Sequence, residues 1–248
     1  MRSTEARDYQ AVPRDVAVMA KDFAPGSTTG RHRHIRAQLL YATLGLMVAE
    51  TEDGTWAVPA GYALLIPPDV VHEVAMHGKV AMRTAYLAAS AFTMPLQCHV
   101  LPVSILLEAA LTALADEPVL YDTKGRGGHL AALVLDEIKR APITPLALPL
   151  PRDARLRRLC QELIDTPGLS LDIDGWADRV GLSRRTLTRR FREETGLSFG
   201  LWRRRVRLLS VMVRQAQGDA TPRIASAVGY GSSRALRAMM KRTLATPS

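Results

Sequence analysis

The sequence predicts an α+β protein of two domains, an N-terminal β-barrel followed by a C-terminal half that is all helix. Three observations carry that prediction. At 248 residues the chain is long enough for two modest hydrophobic cores. Its apolar pattern changes period along the way, from short runs broken by turn residues to the spacing of amphipathic helices. Its charge is partitioned as well: residues 1–151 hold 13 Lys and Arg against 15 Asp and Glu, and residues 152–248 hold 20 against 9. The net charge of +9 therefore belongs to the second half alone.

Residues 10–100 read as the barrel. The runs "QLLYATLGLMVAET" and "WAVPAGYALLIPPDVVHEVAM" flank "EDGT", and Asp53-Gly54 between strand-like runs signals a hairpin. Several short strands at this spacing fit a sandwich or barrel. Residues 101–142 turn helical. Ile105, Leu106, Ala109 and Leu114 fall near helical spacing, and Leu130, Leu133, Val134 and Ile138 follow at i, i+3, i+4 and i+8. This segment is expected to relay a signal or to dimerise through the apolar faces around Leu106 and Leu133. A proline-rich stretch at 143–152, within "APITPLALPLPRD", cannot continue a helix and reads as an extended connector.

From residue 153 to 248 the chain repeats itself. Trp176, Ala177, Val180, Gly181, Ser183, Leu187 and Phe191 follow the same plan as Ile224, Ala225, Val228, Gly229, Ser232, Leu236 and Met240. The small Ala lets two helices cross closely, the Gly suits a left-handed helix end, and the Ser caps the next helix. Leu and the bulky residue four further on then face the core. Each copy is a helix-turn-helix, at 172–193 and at 221–243. Between them Trp202, Val206, Leu209 and Val213 mark one long helix from Ser198 as cap to Gly218 as stop, about nineteen residues and about 28 Å. A bar of that order suits two helices about 34 Å apart, the repeat of the major groove.

With Leu187 and Phe191 turned inward, Arg185, Thr188, Arg189 and Arg192 share the outer face, with Arg184 at the helix start. The second copy presents Arg234, Arg237 and Lys241 in the same way, with Ser233 ahead of them. Arginine binds guanine edges with two hydrogen bonds and suits phosphate oxygens. An ordinary solvated helix face brings glutamates in equal number, and the first of these has none before Glu193. The excess of one sign over about a hundred residues reads as an electrostatic footprint for nucleic acid, and the cationic helix faces point to double-stranded DNA.

This half resembles the DNA-binding domain of the AraC/XylS family of bacterial transcription regulators. The stretches that carry the resemblance are "GLSRRTLTRRFREETGLSFGLWRRRVRL" and "RIASAVGYGSSRALRAMMKRTLATPS". It implies that Arg185, Thr188 and Arg189, and Ser233, Arg234 and Arg237, read bases. The second copy departs from the family: Leu236 and Met240 stand where aromatics are usual, Ala245 where Gly is general, and the chain stops at Ser248 before the customary closing helix. A looser second module is implied.

The first half holds "HRHIRAQ". The spacing Gly26, His32, His34, Gln38, Gly45, then Gly61, Pro67, Asp69, His72, resembles the two motifs of the cupin barrel, in which histidines and a glutamate converge on a metal. Gln38 replaces the glutamate and Asp69 a glycine. On a strand His32 and His34 share a face. His32, His34, Gln38 and His72 are therefore expected either to hold a divalent transition metal, zinc, nickel, iron or copper, or to line an effector pocket. In regulators of this arrangement the barrel is the sensor. The expected partners are operator DNA, a small-molecule effector, RNA polymerase and a second copy of the chain. The alternative is a metal-dependent cupin enzyme with a basic appendage, and the missing carboxylate counts against it.

No apolar run reaches the ~18 residues of a membrane span, and the start "MRSTEARDYQ" is no signal peptide, so a cytoplasmic protein is expected. Cys98 and Cys160 are too few for a disulfide framework and lack zinc spacing.

Overall fold

The structure is a computed structural model that describes residues 3–91, 93, 96–144 and 146–244. The expectations for Ala245 and for the end at Ser248 lie outside the described residues. The chain divides into two compact units, Met1–Thr51 with Trp56–Thr144, and Glu52–Thr55 with Pro145–Ser248.

The first unit is an antiparallel sheet with helices behind it. Its strands are β1 (Val16–Phe23), β2 (Ala37–Thr51), β3 (Gly54–Pro59, whose first two residues count with the second unit), β4 (Tyr62–Ile66), β5 (His72–Leu87) and β6 (His99–Pro102). β1 pairs with β5, β5 with β2, and β2 with β4, which pairs on to β6. The long β2–β5 ladder breaks register at Ala42/Leu44 and Leu44/Leu46. Gly45 sits there at φ +87, where a Cβ would lie 2.4 Å from the Lys79 carbonyl oxygen, so only glycine lets the bulge close.

The alternation of side chains separates the sheet's two faces. Leu39 and Tyr41 of β2, Ala85 and Leu87 of β5, and Val16 and Val18 of β1 pack against α1 (Ile105–Asp116) and α2 (Arg126–Arg140). Met19 of β1, Gln38 and Leu40 of β2, and Met82 and Tyr86 of β5 face the other way and line a cavity. α1 is capped by Ser104, which accepts from the Leu107 amide. It buries Leu107, Ala110, Leu111 and Leu114, and Ile105 and Leu106 stay 89% and 50% exposed. The buried stripe is thus offset from the Ile105/Leu106/Ala109 face expected from spacing, because the cap starts the helix so that Leu107 points at the sheet. Leu133 packs against this same core within the chain.

The hairpin turn between β2 and β3 also differs from expectation. Glu52 and Asp53 make it, and Gly54 already belongs to β3. Gly54 has no left-handed φ; a Cβ there would lie 2.6 Å from the Leu148 carbonyl oxygen, so the glycine serves a close backbone approach. The proline-rich stretch likewise contains a short strand, β7 (Ala147–Pro149).

The rest of the second unit is helical: α3 (Ala154–Asp165), α4 (Ile173–Arg179), α5 (Arg184–Thr195), α6 (Phe199–Ala216), α7 (Thr221–Ala227) and α8 (Ser233–Leu244). One core joins Leu156, Leu159, Cys160, Trp176, Leu187, Phe191 and Trp202, and a smaller one joins Val211, Ile224, Val228, Leu236 and Met239. α6 serves both cores. With neighbours on two sides it buries Leu208 and Val211 as well as Trp202 and Val206, whereas Leu209 and Val213, expected on a single stripe, are only half-buried. In α8 the buried partner of Leu236 is Met239, and Met240 is half-buried, so the bulky position of the second copy falls one residue earlier than its repeat suggests.

Candidate functional site

Two regions gather chemistry, one in each unit. In the second, Gly181 and Gly229 lie at φ +64 and +77 and end α4 and α7 with a left-handed residue. Ser183 then accepts from the Thr186 amide at 3.2 Å, and Ser232 from the Ala235 amide at 3.1 Å, which caps α5 and α8. With Leu187 and Phe191 fully buried, Arg184, Arg185, Thr188, Arg189 and Arg192 are exposed. On α8, Arg234, Arg237 and Lys241 are exposed and Ser233 is half-buried.

Their states differ. Arg189 donates to both carboxylate oxygens of Glu193, at 2.9 and 2.8 Å, and Arg184 lies 3.4 Å from Asp174. Thr188 donates its hydroxyl back to the carbonyls of Arg184 and Arg185, at 3.0 and 3.2 Å. Among the described residues Arg185, Arg192, Arg234, Arg237 and Lys241 make no ion pair. A cation without an internal partner is the one most available to an anionic one.

Not every arginine of the basic half faces outward. Arg203 donates to the carbonyls of Leu169 and Leu171, at 2.9 and 3.1 Å, and Arg207 donates to that of Pro167 at 3.1 Å. Burial lowers the pKa of Arg203 from its usual value, with Arg207 beside it adding to the effect. Part of the charge excess is therefore structural.

In the first unit the histidines meet. His32 pairs with His72 through an isolated antiparallel bridge, and Asp69 donates its amide to the His34 carbonyl at 2.8 Å. Asp69 stands at φ +60, a backbone position that suits glycine and that a short polar side chain tolerates, which explains why aspartate can replace glycine there. The segment around His32 and His34 is irregular apart from the bridge, so no regular strand presents them. Ring centroids are 4.4 Å apart for His32 and His72, 4.8 Å for His32 and His34, and 5.4 Å for His34 and His72. One nitrogen from each of the three lies within 4.8 Å of the others.

The tautomers follow from the backbone. Nδ1 of His32 donates to the Gly30 carbonyl at 2.8 Å, and Nδ1 of His72 to that of Val70 at 2.8 Å. Because a carbonyl can only accept, Nδ1 carries a proton in both rings, which leaves Nε2 as the nitrogen that faces the cluster, as in a metal-ligating histidine. Burial, then the neighbouring His32 and His72, holds His34 down to about 4; burial, with His32 adding, holds His72 down to about 4. Both rings are neutral at physiological pH. Nε2 of His34, Nε2 of His72 and Oε1 of Gln38 are buried with no hydrogen-bond partner. Buried polar atoms are seldom left so, and a cluster of three imidazoles, one nitrogen of each within 4.8 Å of the others, fits a divalent transition metal.

Gln38 opens β2, and its Nε2 donates to Thr84 Oγ1 at 3.0 Å. It lines a cavity of about 400 Å³ with His32, His34, Leu40, Met82 and Tyr86. Residues Thr4–Arg7 and Gln10 form another wall, and the buried Arg36 ties the adjoining chain down by donating to the carbonyls of Tyr9, Val12 and Asp15. Motif spacing missed Met82, Thr84 and Tyr86. Their signal was the period-2 parity of β5, which places them on the His72 face.

Comparison with known proteins addresses both units. A family model described as an AraC-like ligand binding domain matches residues 21–115, and one described as a helix-turn-helix domain matches 176–248. The chain is 29% identical over 217 residues to the HTH-type transcriptional regulator NimR of Escherichia coli K12, which takes in 88% of this chain and 80% of NimR. It is 36% identical over 130 residues to the HTH-type transcriptional regulator RipA of Corynebacterium glutamicum, 52% of this chain and 37% of RipA. Fatty-acid-bound ToxT from Vibrio cholerae aligns over 100% of this chain and 95% of its own, at 11% identity and a TM-score of 0.39.

Proposed function

This chain belongs to the AraC family of transcription regulators, with an AraC-like ligand-binding domain ahead of its helix-turn-helix domain, and on that premise we propose how its parts divide the work. The C-terminal unit binds double-stranded DNA with α5 and α8 in successive major grooves. Arg185, Thr188 and Arg189 read bases from the first helix and Ser233, Arg234 and Arg237 from the second. Arg184, Arg192 and Lys241 reach the flanking backbone. The observation that carries this is the pair of serine-capped helices, each burying its leucine and presenting cations with no internal partner on the outer face.

The cavity is read as a sensor site for a small molecule that fits about 400 Å³. His32, His34 and His72 are the residues that would hold zinc, nickel, iron or copper through Nε2. Such an ion would supply a Lewis-acidic centre beside the cavity. Gln38, held by Thr84, orients its amide oxygen within the same cavity and brings no compensating charge. That favours sensing over turnover, since metal-dependent catalysts of this barrel rely on the carboxylate it replaces.

Effector binding then shifts the population between DNA-binding arrangements, by as much as its affinities for the two states differ. A second copy of the chain and RNA polymerase are the remaining partners in this proposal; the exposed Ile105 and Leu106 on α1 support the former. No described helix is long and apolar enough to cross a membrane, which fits a regulator acting on DNA in the cytoplasm.

The test is to sequence the DNA fragments the purified protein retains from its own genome, then repeat with His32→Ala. Enriched sites whose occupancy responds to metal or effector only in the unsubstituted protein support the proposal. A reaction catalysed by the barrel and lost in His32→Ala would favour the enzyme instead.

A further inference from the structure

Among the described residues the two helix-turn-helix modules are joined in two places. The first join is α6. The second is a packed contact between the loop that enters the first module, residues 166–172, and the turn of the second, residues 228–232. A Cβ on Gly168 would lie 2.7 Å from the Ala227 carbonyl oxygen, and one on Gly229 would lie 2.9 Å from the Gly168 oxygen. At that approach only glycine fits on either side. Arg207 of α6 bridges the same place. Its Nε donates to the Pro167 carbonyl at 3.1 Å, and its guanidinium carbon lies 5.3 Å from the centre of the Tyr230 ring. Tyr230 in turn packs on the Val211, Ile224 and Leu236 core of the second module.

A single helix lets the modules at its two ends bend about its axis. A second, side-on contact removes that freedom. We propose that Arg207, with Tyr230 and Gly168, is a positioning residue for DNA recognition. It holds α5 and α8 at one fixed separation and angle and so sets the spacing between the two DNA segments that the protein accepts. Arg207 is counted among the cations of a basic domain, yet it acts through Tyr230 and Pro167 and does not touch DNA. The inference rests on both modules binding DNA.

The test uses the full-length protein on a site selected from random-sequence DNA. Footprinting comes first, and two protected segments are expected. Affinity is then measured on that site and on versions with one base pair inserted or removed between the segments. One base pair moves the second module by about 3.4 Å and about 34° around the duplex. The unsubstituted protein should lose about tenfold or more, the order of one missing base contact. Arg207→Ala and Tyr230→Ala should lose markedly less on changing the spacing, with an unchanged salt dependence on the parent site. Tyr230→Phe, which keeps the ring, should behave as the parent.

Unfolding temperatures accompany each variant, and Gly168→Ala serves should Arg207→Ala fail to fold. Unchanged spacing discrimination in Arg207→Ala and Tyr230→Ala would overturn the proposal. A loss of the same factor at every spacing with a shallower salt dependence would also overturn it, because Arg207 would then be a phosphate contact. One protected segment instead of two would remove the two-module reading along with it.

Discussion

His32 and His72 exchange two backbone hydrogen bonds across an isolated bridge, His32 N to His72 O at 3.0 Å and His72 N to His32 O at 2.9 Å, with ring centroids 4.4 Å apart. Two residues forty positions apart are thereby set face to face by main chain alone. Each spends its Nδ1 proton on a carbonyl two residues before it, so the remaining nitrogens converge as acceptors.

Removing one of these rings should abolish tight metal binding. We expect His72→Ala to hold zinc more than about 100-fold more weakly, since loss of an outer-shell partner alone costs 10- to 100-fold. Binding of random DNA should be unchanged. Metal content after dialysis, read by atomic emission, decides it; zinc retained at one equivalent by His72→Ala would remove the site.

Gln38→Glu should strengthen that binding, because a carboxylate beside three imidazole ligands offsets the charge of the cation. Titration with zinc or iron(II) measures it. Weaker binding would mean that Gln38 Oε1 does not face the ion.

On the DNA side, Arg185→Ala and Arg237→Ala should each cost about 1–3 kcal/mol on the selected site and relax preference at one base position, the size of a bidentate guanine contact. Equal weakening on selected and random DNA would show that they touch only phosphate. Arg189 begins from its pair with Glu193 and must exchange that partner for DNA. Its substitution should therefore cost less than that of Arg185.

The second helical core yields a stability contrast. Met239 is 1% exposed and Met240 half-buried, so Met239→Ala should cost about 2–5 kcal/mol by cavity formation and Met240→Ala clearly less. Denaturant unfolding measures both, and a larger cost for Met240→Ala would contradict the packing of α8.

The two turn glycines separate strain from collision. Nothing lies within 4 Å of a Cβ added to Gly181, so Gly181→Ala should cost about 1–2 kcal/mol for the left-handed backbone alone. Gly229→Ala adds a methyl 2.9 Å from the Gly168 oxygen and should cost more. Equal costs would show that the Gly168–Gly229 approach is loose.

What could be read from the sequence follows from how local each signal is. Gly181, Ser183, Gly229 and Ser232 act within one turn of chain, so their spacing announced both helix-turn-helix motifs. The order of strands followed by helices was legible from the change of apolar period, although that change falls inside the first unit, whose sheet α1 and α2 cover. What escaped depends on neighbours distant in sequence. Which face of α1 meets the sheet, why α6 buries Leu208 and Val211, and why Met239 outranks Met240 are set by packing partners. The structural use of Arg203 and Arg207, and the close approach at Gly54, likewise depend on carbonyls that spacing does not reveal. For the histidines, the motif named the residues, but only the fold shows which nitrogen His32 and His72 turn to the cluster.

The most direct measurement is the affinity of the full-length protein for its selected site and for random DNA across a range of salt concentrations. Cationic faces on α5 and α8 should give a steep fall of both affinities with salt and a selected site bound at least about 1000-fold more tightly than random sequence. A shallow salt dependence, or equal affinity for the two DNAs, would contradict a duplex-reading role for these helices.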